Sequence, residues 1–154
     1  MTAKDYLLRA WQIDARIDEK LAEIERMEEK RERIMAKLRA GRSSNLTGMP
    51  RGGNYDWTDS IEAVIETDEL IRDAVNALRA EIMELCRVKR EVADAINAVE
   101  PVVYRRVLDL RYRSYLDWQT IAQKMGYDVR HVFRLHGEAL LCVKVPKEEK
   151  ENGI

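Results

Sequence analysis

This 154-residue sequence is poor in the residues that punctuate or staple a small fold. Seven glycines and three prolines are too few for an all-β chain dense in turns. Aromatic residues make up 6% of it against 36% charged residues, which argues for helices with much solvated surface rather than one large compact core. Cys86 and Cys142 form no metal or redox spacing and read as reduced thiols. No apolar run approaches the ~18 residues of a membrane span. The opening MTAKDYLLRAWQID holds no signal-peptide core, so a cytoplasmic protein with no membrane partner is expected. Also missing is a nucleophile with a base and an orienting group, and the carboxylates fall at salt-bridge spacing in charge-alternating segments. No enzyme, metal or cofactor is expected.

What is abundant is helix. Residues 3–40 contain no proline or glycine and are rich in Glu, Lys, Arg, Ala and Leu. Their apolar positions step by three and four through Tyr6, Ala10, Ile13, Ile17, Leu21 and Ile24, then fail at Glu28 and Arg31 before Met35 and Leu38. A second helix is predicted from DWTDSIEAV, with Thr58 or Asp59 as its cap. Its heptad seam runs from Val64 through Ile71, Val75, Leu78, Ile82, Leu85, Val92 and Ile96 to Val99, broken only at Asp68 and Lys89. Neither stripe can be buried alone. The pattern predicts residues 1–100 as a long antiparallel helical hairpin, a coiled-coil-like stem, although a second copy could supply the same surface. Residues 41–57, GRSSNLTGMPRGGNYDW, read as the connecting loop; Arg42 and Arg51 invite a phosphate-binding reading, but no P-loop pattern surrounds them.

Pro101 ends the stem or opens a new helix whose buried face is Val103, Val107 and Leu110. RYRSYLD then breaks the period, with Asp117 placed to cap the next helix. In WQTIAQKMGYDVRHVFRLH two short apolar faces, Ile121/Ala122/Met125 and Val132/Leu135/Ala139, flank Gly126, where a turn with positive φ is least strained. This spacing predicts a helix-turn-helix over residues 101–145, leaving 146–154 as a disordered tail. Charge follows the same division. Residues 101–145 carry eight basic and four acidic side chains, whereas residues 1–100 carry 17 and 21. A basic module on an acidic stem is the layout expected if only the C-terminal end meets a polyanion.

VLDLRYRSYLDWQTIAQKMGYDVRHVFRLHGEALLCV resembles the C-terminal helix-turn-helix of bacterial sigma factors, in the order L-x-L-R-Y, I-A-x-x-M-G and V-x-R-L-H-x-x-A-L. The whole chain is similar to a group of phage and prophage proteins that join a helical hairpin to such a module, among them ArpU-type late-transcription regulators. Asp128-Val129 departs from the Ser/Thr-Arg that usually opens the recognition helix. The resemblance implies an all-α, sequence-specific binder of double-stranded DNA, working in the host cytoplasm at the nucleoid, with RNA polymerase or a second copy as partner. A recognition helix in the major groove would turn Val129, Arg130, Phe133 and Arg134 toward base edges. Arg111, Arg113 and Lys124 would serve phosphates. The plainer alternative is that the arginines form a solvated face and Phe133 packs on the stem. At the level of the whole chain, a terminase small-subunit-like packaging protein and a coiled-coil interaction protein are the competing classes.

Overall fold

The computed structural model describes residues 1–44 and 57–147, with the side chains of 41–44 and Trp57 left aside. The described chain is all-α: α1 (Ala3–Ser44), α2 (Trp57–Asn97), α3 (Val102–Leu108), a π-helical turn (Asp109–Arg113), α4 (Trp118–Met125) and α5 (Val129–Cys142). Most of the predicted 41–57 loop and of the tail lies outside the described residues. No helix among the described residues is long and apolar enough to cross a membrane.

The chain divides into two compact units, and the boundary does not fall at Pro101. The first unit joins Met1–Ala15 to residues 83–147; the second holds residues 16–44 and 57–82. Burial explains the division. Leu7, Ala10 and Ile13 of α1 are buried in the same unit as Val88, Val92 and Ile96 of α2, together with Val107, Leu108 and Tyr112. Both ends of the expected stem therefore belong with the C-terminal module.

In the first unit α1 opens with a reciprocal cap. The Asp5 amide donates to the Thr2 hydroxyl at 3.1 Å, and the Thr2 amide donates to the Asp5 carboxylate at 3.2 Å. The Thr2 hydroxyl also donates to that carboxylate at 2.6 Å, and these bonds hold the Asp5 carboxyl below its ordinary range. Arg9 pairs with Glu91 at 2.9 Å, and Asp14 lies 3.7 Å from Lys89. Pro101 precedes α3 rather than opening it. Its backbone is extended, and its carbonyl accepts from Tyr104 and Arg105 at 3.1 Å, so the absent proline N–H costs nothing there. The buried face of α3 is Val107 with Leu108 rather than the expected set through Leu110, which is only half-buried. The cause is the π turn, where the Ser114 amide reaches back to the Asp109 carbonyl at 3.0 Å. The wider turn brings Tyr112 inward behind Leu108.

In the second unit Arg16 meets Glu81 at 3.5 Å and Arg31 meets Asp68 at 2.5 Å. Rising numbers on α1 thus meet falling numbers on α2. The second contact pairs two of the polar breaks in the apolar seams. Thr67 is buried, its hydroxyl satisfied by the Ala63 carbonyl of its own helix at 2.7 Å. Helix α2 begins at Trp57, which places Thr58 and Asp59 in its first turn rather than at the cap.

Candidate nucleic-acid interface

Helices α4 and α5 are set by three local devices. Asp117 caps α4, accepting the Thr120 amide at 2.7 Å, and this bond holds its carboxyl below the ordinary range. Gly126 ends α4 at φ +72°, with its own amide donating to Gln123 at 3.3 Å and the Tyr127 amide donating to Ala122 at 3.1 Å. That paired 5→2 and 6→1 closure needs a left-handed residue, and a Cβ at Gly126 would meet no atom, so the demand is conformational alone. Asp128 then caps α5, accepting the His131 amide at 2.7 Å. Ile121 and Ala122 of α4 and Val132, Leu135 and Ala139 of α5 are buried.

Once that face is buried, α5 turns the opposite one outward: Arg130, Phe133, Arg134, Gly137, Glu138 and Leu141 are all exposed. Arg130 makes no hydrogen bond or ion pair with the described residues. Arg134, one turn on, donates to Nδ1 of His131 at 3.0 Å and lies 4.0 Å from Glu138. Phe133 is 49% exposed and its inner edge packs on Trp118, ring centroids 5.1 Å apart. Val129 is half-buried at the start of the helix.

The three residues assigned to phosphates part company. Lys124 is exposed at the end of α4, and Arg113 is exposed with one contact to Asp109 at 3.2 Å. Arg111 has a different post. Its guanidinium lies over Trp118 at 4.5 Å and over Trp11 at 4.8 Å, and donates to the Leu116 carbonyl at 2.9 Å. Stacked against two indoles, it ties α1 to the turn before α4.

Two contributors escape sequence reading. Arg106 is exposed and donates to the Lys124 carbonyl at 3.1 Å, which brings a second cation to the end of α4; 18 residues separate the two, so no local spacing signals the pair. His131 buttresses Arg134 and meets the Tyr127 ring edge-on at 4.5 Å. His136 faces elsewhere. Burial first, then the nearby Lys4 and Arg111 charges, push its pKa down to about 4, while burial pushes Tyr112 up to about 12. The Tyr112 hydroxyl and Nε2 of His136 share a hydrogen bond at 2.7 Å. Among the described residues no group of His, Cys, Asp and Glu could hold a metal ion. No protein-family model, curated protein or solved structure matches the chain.

Proposed function

We propose that this chain is a sequence-specific binder of duplex DNA and a phage-type transcription regulator, with α4 and α5 as its helix-turn-helix and α5 as the helix laid in the major groove. The observation that carries the reading is the outward face of α5. It is continuous, it is held by caps at Asp117, Gly126 and Asp128, and it presents Arg130 and Arg134 one turn apart. Guanidinium groups so placed can each donate a bidentate pair to guanine O6 and N7, and Phe133 between them offers an apolar surface to a thymine methyl. Val129 enters the groove first. Lys124, Arg106 and Arg113 serve phosphates, and Arg111 fixes the module from within.

The regulator reading also rests on the resemblance to sigma-factor and ArpU-type modules. One such module contacts few base pairs, and each mismatch costs about 1–3 kcal/mol, so useful selectivity calls for a second copy or for RNA polymerase. Under this reading α1 and α2 form an antiparallel stem that supplies that contact, and no step of catalysis is assigned to the chain.

The test is selection from a random duplex pool at two salt concentrations. An enriched sequence that disappears in the Arg130→Ala/Arg134→Ala variant, with helicity by circular dichroism unchanged, is the expected result. Selectivity that survives the double substitution sinks the assignment of α5 as reader. Retention without enrichment, falling steeply with salt, would mean that phosphate contacts dominate and would favour packaging over regulation.

A further inference from the structure

A cavity of about 460 Å³ opens in the first unit, and none of its lining residues lies on α5. Its floor is apolar and closed, with Ala10 of α1, Val92 of α2 and Tyr112 of the π turn each no more than 2% exposed, and the half-buried Tyr115 supplies an aromatic wall. Its rim is polar, carrying Lys89, Arg113, Asp109 and Ser114. Small-molecule sites share this plan, an apolar bed of roughly 300–1,000 Å³ with a few directed polar groups.

Donor capacity decides which ligand fits. Lys89 has one loose partner, Asp14 at 3.7 Å, and its side chain is 53% exposed. That same carboxylate already accepts the Tyr115 hydroxyl, a bond that helps to hold Tyr115 at φ +56°. Arg113 spends one nitrogen on Asp109 at 3.2 Å and is 48% exposed. Ammonium and guanidinium groups carry more N–H bonds than these single contacts use, whereas both carboxylates already have hydrogen-bonded partners. Lys89 is also one of the two breaks in the α2 heptad seam, so a lysine stands where packing alone asks for an apolar residue.

We propose that this cavity binds a small organic anion, an apolar ring or chain lying against Tyr115 above the closed floor with one phosphate or carboxylate held by Lys89 and Arg113. The site shares Arg113 with the cations proposed to serve DNA phosphates, and calorimetry in the absence of DNA tests it apart from that reading. Its ligand touches the π turn, which joins α3 to the segment leading into α4, and this makes it a means of reporting a metabolite to the module.

Titration calorimetry on the full chain tests it with phenyl phosphate and with benzoate, which separate the two anionic groups, and with inorganic phosphate, phenol and benzylamine as controls. One of the two aryl anions should bind at a single site with a Kd below about 1 mM, and each control should bind at least about tenfold more weakly. Arg113→Gln and Lys89→Gln should each weaken binding by about fivefold or more. Ser114→Trp, which keeps both cations and fills the mouth from an exposed position, should abolish it even if the charge variants lose helicity. The proposal is overturned if neither aryl anion saturates, if a control binds equally well, or if Ser114→Trp leaves binding intact.

Discussion

The two units use the same pair of helices and bury them very differently. In the second unit only Ile24 and Thr67 are buried among the described residues, and Leu21, Ile61, Ile65, Leu70 and Ile82 are exposed. In the first unit Leu7, Val88, Val92, Ile96 and Val99 are sealed almost completely. Heptad quality does not explain the contrast, because the α2 seam is as regular before Met83 as after it. The difference is the third layer. Two helices can shield only one stripe of each other, whereas the first unit adds α3, the π turn, α4 and α5 to the ends of α1 and α2. The lesson is that a seam in the sequence records a capacity for burial, and its energetic yield depends on what covers the flanks.

That contrast can be broken most sharply by matched truncations. Ile96→Ala should destabilise the protein by about 2–5 kcal/mol, since a fully buried side chain leaves a cavity, whereas Leu70→Ala should change stability by less than about 1 kcal/mol. Urea unfolding followed by circular dichroism gives both numbers, and equal losses would show that the second unit is covered by a partner. Smaller effects are expected at the local devices of the first unit. Gly126→Ala should lose about 1 kcal/mol through φ alone, and Asp128→Ala about 1 kcal/mol through its cap. Their sum should be recovered in the double variant if the two act separately; a much larger combined loss would mean that the turn forms cooperatively.

The mildest way to sharpen the comparison is pH. The folded pKa of His136 lies near 4, below the ordinary 6.5, so the unfolded chain takes up the proton more readily in that window. The stability tied to neutral His136 is complete above 6.5 and is lost as pH falls toward 4. The melting temperature should drop between about pH 7 and about pH 5, and His136→Gln, whose amide can hydrogen-bond Tyr112 in either direction, should flatten the drop. Identical slopes would place the pH dependence elsewhere.

Much of the local structure is legible in the sequence because its causes are local. Asp117, Gly126 and Asp128 act on amides within five residues, and the apolar faces of α4 and α5 repeat at helical spacing. The contacts of Arg111 are hidden from sequence reading for the opposite reason. In sequence it is one more cation in RYRSYLD, and nothing there reveals that Trp11 lies across it. Leu7 and Leu108 escape the periodic pattern because each sits one residue off the expected stripe and is buried by elements distant in the chain.

The sequence by itself determined that the described chain is helical, where α4 and α5 meet, which residues cap them, and that the basic charge gathers near the C-terminal end. Only the tertiary structure decided where the units divide, which polar breaks become ion pairs, and that Lys89 and Arg113 share one cavity with Tyr112. The physical reason is range. Propensity, capping and periodicity act over a few residues, whereas the contact between Tyr115 and Asp14 joins positions 101 residues apart, and that coincidence exists only after the chain has folded.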